Sequence, residues 1–121
     1  MITVLFNRRP VCAGDDIENS IYKIWLEDDS GLGELIDAVI FGGKGNTWPV
    51  PSSNNDWYVK SNIGELAVIK PNKSAVEYEA ADESTPVSEL DILWVYATWE
   101  KDECLDGIEG MFNRYGKYNY I

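Results

Sequence analysis

The sequence predicts an α+β domain, with a mainly antiparallel sheet of about five to six strands, one short central helix and a C-terminal helix packed on it. Three observations support this class. Residues 56–80 hold three short apolar runs separated by the turn residues "NIG" and "NK". Residues 32–40 and 104–115 place apolar side chains at three- and four-residue steps. The 121 residues, 45% of them hydrophobic, are enough for one domain over 1–121.

The N-terminal part is predicted to contain two strands. "ITVLF" (2–6) is short, apolar and rich in β-branched residues, and "NRRP" is expected to end it. Residues 13–20 are polar and indicate a loop. Residues 21–29 form the second candidate strand, because apolar and polar side chains alternate along it. Its expected inward residues are Ile24 and Leu26, and its expected outward residues are Lys23, Trp25 and Glu27.

A short helix is predicted after this strand. Ser30 begins a helix-start pattern, and Glu34 falls in the first turn, where an acidic side chain is favourable. The paired glycines Gly42 and Gly43 are suited to end the helix. The apolar positions expected to face the core are Leu32, Leu35, Ile36, Val39 and Ile40.

The middle of the chain predicts an antiparallel meander of strands over 56–62, 65–71 and 74–80. In the third strand Val76 and Tyr78 should face one way and Glu77 and Glu79 the other, as in a sheet with one solvent-exposed face. That exposed face would be strongly acidic.

Three further elements complete the prediction. Residues 84–90 suit a single helical turn, capped by Ser84 or Thr85 with Pro86 at the first helical position. The unbroken apolar run 92–99 predicts a central strand. The last helix should bury one face, and Gly107 and Gly110 should let it approach the sheet closely. That face comprises Cys104, Leu105, Ile108, Met111, Phe112 and Tyr115.

Net charge is the most informative bulk property. The chain has 21 acidic and 10 basic side chains, a formal net charge of −11 and a pI near 4.2. Such a surface repels nucleic acid and anionic membranes and attracts basic partners, although the same charge can serve solubility alone. The first ten residues do not match a signal peptide, and no apolar run is long enough to span a membrane, so the expected location is cytoplasmic. Cys12 and Cys104 match no metal or redox spacing and are expected to be free thiols.

No enzymatic signature is found, so the sequence predicts a protein that is not an enzyme and has no cofactor or metal. The glycine loop "GGKGNT" follows a predicted helix rather than a strand, and no Ser or Thr follows its lysine, so it does not match a phosphate-binding P-loop. The absence of histidine removes the commonest acid–base catalyst and zinc ligand. "EDDSGLGELI" lacks the pattern of a calcium loop.

The tryptophans are predicted to serve packing, with one exception. Trp94, Tyr96 and Trp99 lie in the apolar run 92–99 and are expected to fill the core or pack under the last helix. Trp57 belongs to a strand. Trp48 lies in a proline-rich loop and has two possible roles, either docking inward or standing outward as a binding anchor.

Residues 32–69, "LGELIDAVIFGGKGNTWPVPSSNNDWYVKSNIGELAVI", carry an "L-x-E-L-I" helix, a glycine loop, a "W-x-V" strand and an "A-V-I" strand. In that order these elements resemble the small acidic bacterial immunity proteins of polymorphic or contact-dependent growth inhibition toxin systems. The resemblance implies a cytosolic protein that binds and neutralises one cognate toxin domain, often a nuclease with a basic surface.

The leading hypothesis is therefore a stoichiometric toxin inhibitor whose carboxylates pair with Lys or Arg of the toxin. One alternative is an acidic nucleic-acid mimic or adaptor that binds a DNA- or RNA-binding protein, and another is a hydrolase that uses a carboxylate pair. The candidate contact residues are Glu27, Asp28, Asp29, Trp48, Glu77, Glu79, Asp82 and Glu83.

Overall fold

The computed structural model describes residues 1–9, 21–46 and 48–119, with side chains as far as Phe112 in the last helix. Within these residues six strands form one sheet, and a helix covers part of each face. The strands are β1 (Ile2–Arg8), β2 (Tyr22–Leu26), β3 (Trp57–Ser61), β4 (Gly64–Ile69), β5 (Val76–Tyr78) and β6 (Trp94–Thr98), and the helices are α1 (Leu32–Phe41) and α2 (Leu105–Asn119). The predicted α+β class is confirmed.

The strand order is β2-β1-β6-β3-β4-β5, with β6 and β3 in the middle. The meander β3-β4-β5 is antiparallel as predicted, although its third strand is shorter than the predicted 74–80. The predicted central strand is β6, which pairs antiparallel with β3 and parallel with β1. The sheet is therefore mainly antiparallel. Its one parallel pair among the described strands joins β1 and β6, which are the first and last of these strands in the chain.

Helix α1 packs on one face of the sheet and builds the larger core. All five apolar positions predicted for its inner face are buried, and Val4, Phe6 and Ile24 of the sheet lie in the same cluster. The helix ends at Gly42, whose φ of 81° lies in the region that favours glycine. Both the period of α1 and its glycine stop are confirmed.

Helix α2 packs on the opposite face and builds a smaller core. Ile108 and Phe112 contact Leu5, Trp94 and Tyr96, and the ring of Phe112 stacks on Trp94 with centroids 4.8 Å apart. Two parts of the prediction were wrong. Leu105 and Cys104 are exposed at the start of the helix, and Gly107 and Gly110 do not mediate close packing, because a Cβ at either position would have no neighbour within 4 Å. Tyr115 lies outside the described side chains.

The predicted end of β1 was also wrong. The strand continues beyond Phe6 through Asn7 and Arg8, which pair with Tyr96 and Ala97 of β6. The Arg8 side chain is buried and donates a hydrogen bond to the carbonyl oxygen of Pro49 at 3.0 Å. Pairing with a central neighbour thus outweighs the polar character of the sequence.

Neither predicted helix cap forms. Gly31 is the N-cap of α1, and the chain turns into a short 3-10 helix at Val87–Glu89 only after Pro86, with no side-chain cap at either start. Ser30 is buried instead, and its carbonyl oxygen accepts a hydrogen bond from the backbone of Val87 at 2.9 Å. Tertiary backbone contacts satisfy the groups that a cap would have satisfied.

The predicted loop 13–20 and Cys12 lie outside the described residues. Cys104 is a free, exposed thiol. In the ranges that the structure describes, no helix combines the length and apolar character needed to cross a membrane.

Candidate partner-binding site

Two of the predicted acidic clusters meet at the N-terminal end of α1. Glu27, Asp28 and Asp29 form the exposed turn that leads from β2 toward the helix. The segment after β5 reaches the same place, because the backbone N–H of Gly33 donates to the carbonyl oxygen of Glu83 at 2.8 Å. The N–H of Leu32 donates in the same way to Thr85 at 2.8 Å. These bonds replace the missing cap and fix Glu83 against the first turn of α1.

The close approach depends on a glycine. A Cβ at Gly31 would lie 2.8 Å from the carbonyl oxygen of Glu83, closer than side chains tolerate. Gly31 also pairs with Pro86 in an isolated β-bridge. The glycine between Ser30 and Leu32 therefore brings Asp82 and Glu83 to the helix.

The remaining predicted carboxylates lie elsewhere. Val76 and Tyr78 pack against the α1 core, so Glu77 points to the opposite side of β5, as the alternation predicted. Glu79 is exposed just beyond the end of that strand. On its own side Glu77 adds to the negative field at Lys70, whose ammonium lies 3.3 Å from the carboxylate of Asp56 and whose pKa is raised mainly by that contact. Glu77 is thus separated from Asp82 and Glu83, although the three candidate residues are close in sequence.

Outward residues of α1 extend the acidic region, and the sequence analysis did not select them. Glu34 and Asp37 are exposed one helical turn apart, followed one turn later by exposed Phe41. The helical period of the sequence could have predicted these residues, because the period that buries Leu35 and Ile36 leaves positions 34, 37 and 41 on the outer side. We call the carboxylates of Asp29, Glu34, Asp37, Asp82 and Glu83 the acidic face.

Two carboxylates of the acidic face, from different segments, act on the same phenol. The pKa of Tyr78 is raised first by burial of its phenol and then by the negative charges of Glu83 and Asp37, which come from different segments. None of the five carboxylates forms an ion pair within the described residues. Two neighbours are paired: Glu27 with Lys44 at 3.7 Å, and Asp28 with the amino group of Met1, which raises the pKa of that amine.

A groove of about 280 Å³ opens beside the acidic face, between α1 and the edge of β2. Trp25, Phe41, Glu34 and Asp37 are among the residues that line it. The other lining residues are Leu26, Ala38, Gly42, Gly43 and Lys44.

The glycine loop after α1 forms the outer wall of this groove. The backbone N–H of Trp25 donates to the carbonyl oxygen of Lys44 at 3.1 Å, so the loop lies along the outer edge of β2. Buried Asn46 ties the loop to the helix by donating from its side-chain amide to the carbonyl oxygen of Ala38 at 2.8 Å. The loop therefore shields a strand edge that would otherwise offer unpaired backbone groups.

Trp48 lies between the two predicted alternatives, which were docking inward and standing outward as a binding anchor. Its indole ring is half-buried, with the edge of Tyr22 at a centroid distance of 5.6 Å and the Arg8 guanidinium 4.4 Å from the ring centroid. Its backbone N–H donates to the side-chain oxygen of Asn46 at 2.9 Å. These contacts fasten the loop to the sheet, so the exposed aromatic surface of this region comes from Trp25 and Phe41 rather than from Trp48.

Comparison of the chain with protein-family models, with curated proteins and with solved structures gives no match. Among the described residues, no group of three or more Asp, Glu, Cys or His side chains is placed to hold a metal ion. The arrangement that remains is an exposed, largely unpaired set of carboxylates beside an aromatic groove.

Proposed function

We propose that this protein is an immunity protein that binds a cognate bacterial toxin domain with a basic surface and neutralises it by stoichiometric association. The observation that carries the proposal is the acidic face, where carboxylates from three separate segments gather around α1 without forming ion pairs within the described residues. The resemblance of residues 32–69 to immunity proteins supports the same function.

Electrostatics explains how such a face would recognise its partner. A net charge of −11 attracts a basic protein over long range, and the unpaired carboxylates can then contact its Lys and Arg side chains. An exposed ion pair contributes about 0 to 1 kcal/mol, whereas charge pairs desolvated in an interface couple by about 1.5 to 7 kcal/mol. Most of the affinity would therefore come from the contacts that lose water.

Inhibition would follow from competition. A nuclease uses basic side chains to bind nucleic-acid phosphates, and carboxylates placed against those side chains occupy the same positive surface. Of the five carboxylates, those of Glu34 and Asp37 lie on α1, and Glu83 is held against the first turn of that helix by the bond from Gly33.

We expect a toxin domain to be encoded beside this gene, and the test begins with that domain. Co-expression should rescue growth, and the two proteins should elute as one complex in size-exclusion chromatography. Failure of both would contradict the proposed function.

The division of the predicted cluster supplies a matched pair of variants. Asp82→Lys with Glu83→Lys changes the acidic face, whereas Glu77→Lys with Glu79→Lys makes the same charge change elsewhere. We expect the first variant to lower the association rate about tenfold more than the second and to weaken its salt dependence. Equal rates for the two variants would place the interface elsewhere on the molecule.

A further inference from the structure

We infer that the outer edge of β5 accepts one extended segment of the partner, which joins the sheet as a further strand and carries Lys or Arg on its α1 side. This inference rests on the proposed function in one respect, since it takes the partner to be a basic protein. It names the backbone groups that receive the partner and the kind of segment that fits them, which the charge of the chain alone does not define.

β5 lies at one end of the sheet, and only its inner side is paired. Among the described strands it pairs with β4 alone. Ala75 accepts a hydrogen bond from the N–H of Lys70 at 2.9 Å, and the N–H of Glu79 donates to β4 at 2.8 Å. Successive residues of a strand direct their backbone groups to opposite sides, so those of Val76 and Tyr78 point away from β4. Within the described residues these outward groups form no hydrogen bond.

The two edges of the sheet differ in this respect. The glycine loop covers the β2 edge, where the N–H of Trp25 donates to Lys44 and Gly45 lies so close to the strand that it leaves no room for a Cβ. No described segment bonds to the outer side of β5 in the same way. An uncovered edge is where a sheet can accept a strand from another chain.

The length of the edge defines how much of a partner it can hold. β5 has three residues, and the outward N–H and C=O groups of Val76 and Tyr78 can form four hydrogen bonds with an antiparallel strand. Proteins also use short edge strands to limit unwanted pairing. A neutral segment would therefore bind weakly, and a stable complex requires side chains that suit the charge beside the edge.

The charge on the α1 side of the edge favours a basic segment. Val76 and Tyr78 pack against the α1 core, and cross-strand neighbours point to the same side of a sheet. The residues opposite them would therefore also lie on the α1 side. There the carboxylates of Glu83 and Asp37 act on the Tyr78 phenol and form no ion pair within the described residues. Lys or Arg at these two positions would reach unpaired negative charge.

The other side of the edge does not have the same preference. Glu77 points to this side and acts on Lys70, whose ammonium already lies 3.3 Å from the carboxylate of Asp56. A further cation would meet the charge of Lys70 here. The fitting segment therefore alternates basic residues on the α1 side with neutral residues on the other, at the period of an extended strand.

The inference can be tested on the intact protein by two-dimensional ¹H–¹⁵N NMR. The probe is the peptide acetyl-Thr-Lys-Thr-Arg-Thr-amide, whose basic residues are spaced to lie opposite Val76 and Tyr78. The control peptide is methylated on the backbone nitrogens of its Lys and Arg, so it keeps the charge and the side chains but cannot donate to the edge. We expect the probe to shift the amides of Val76 and Tyr78, and the control to bind at least about threefold more weakly.

Matched variants separate the edge from general charge. Val76→Pro removes an outward N–H and leaves the bonds to β4 in place, whereas Val76→Ala keeps this N–H and shortens the side chain. The proline variant should weaken binding of the probe about three- to tenfold, and the alanine variant by less than about twofold. Thermal unfolding measured by circular dichroism would confirm that both variants fold.

Hydrogen exchange of the wild-type protein gives a measurement that needs no substitution. In the complex with the toxin domain, the amides of Val76 and Tyr78 should exchange at least about tenfold more slowly than in the free protein. The amide of Glu77 should change less, because it faces β4 and is bonded in both states.

The possible outcomes separate this inference from the proposed function. Equal binding of the two peptides, or shifts away from β5, would overturn the inference. A toxin complex in which Val76 and Tyr78 exchange as fast as in the free protein would also overturn it and leave the proposed function in place. Selective binding of the unmethylated peptide without any toxin complex would support the edge as a strand acceptor and contradict the proposed function.

Discussion

Substitution of Gly45 by alanine is the sharpest test of how the glycine loop shapes the groove. Gly45 has a φ of +86°, which a residue with a Cβ adopts only at a cost of about 1 to 2 kcal/mol. The new Cβ would also lie 2.1 Å from the carbonyl oxygen of Lys23 and 2.6 Å from ring carbons of Trp25. Lys23 belongs to β2 and pairs with Leu5 of β1, so the strand cannot retreat easily. We expect the loop to move instead.

The magnitude follows from what the loop would lose. Moving it breaks the hydrogen bond from Trp25 to Lys44, which contributes about 0.5 to 1.5 kcal/mol. Together with the backbone cost, Gly45→Ala should lower the free energy of unfolding by about 1.5 to 3.5 kcal/mol, or the melting temperature by roughly 5 to 15 °C. Because Trp25 and Lys44 both line the groove, the shape of the groove should change as well.

The assay combines thermal unfolding with two-dimensional ¹H–¹⁵N NMR of the Trp25 indole N–H, and Gly64→Ala is its control. Gly64 also has a positive φ, of +113°, but a Cβ there would meet nothing within 4 Å. This control should be destabilised by the backbone cost alone, about 1 to 3 kcal/mol, and should keep the wild-type Trp25 indole resonance. A Gly45→Ala protein with the wild-type indole resonance and a melting temperature within about 2 °C of wild type would refute the reasoning.

Two further predictions concern α2 and the strand beneath it. Burial and, secondarily, Glu103 raise the pKa of Tyr96 above its usual value of about 10, so the protonated phenol stabilises the fold fully below about pH 10 and that stability declines at higher pH. In urea unfolding between about pH 9 and 11, Tyr96→Phe should reduce the loss of stability by up to about 1.4 kcal/mol per pH unit, and identical pH slopes would contradict this. Gly107→Ala should stabilise the protein by about 0.5 to 1 kcal/mol, because the position is helical and open; a lower melting temperature would show that α2 packs more closely there.

Local patterns in the sequence predicted most elements of this fold. Alternation correctly predicted which residues of β2 and β5 face the core. The helical period correctly predicted five buried apolar positions of α1. Features that depend on distant segments were not predicted. The parallel pairing of β1 with β6 carries β1 on to Arg8, and the carbonyl oxygens of Glu83 and Thr85 satisfy the start of α1 without a side-chain cap. A pattern within ten residues contains no information about such partners.

For the candidate site, the sequence predicted which acidic residues are exposed but not which of them lie together. The acidic residues at 27–29 and 82–83 were recognised by composition, but their meeting depends on backbone contacts of residues 31–33 with residues 83–86. Glu77 and Glu79 were grouped with Asp82 and Glu83 because they are close in sequence, yet β5 turns Glu77 to the other side. Glu34, Asp37 and Phe41 could have been found by considering the outer side of α1 as carefully as its buried side.

The pairing of the first described strand with the last also determines what a loss of β6 would do. Although β1 and β6 are far apart in the chain, β6 lies between β1 and β3 in the sheet. Among the described strands, the β1–β2 pair and the meander β3-β4-β5 are hydrogen-bonded into one sheet only through β6. A chain that ended before Trp94 would therefore have two separate pieces of sheet, connected by the packing of α1 and by the backbone bonds from Leu32 and Gly33 to Thr85 and Glu83.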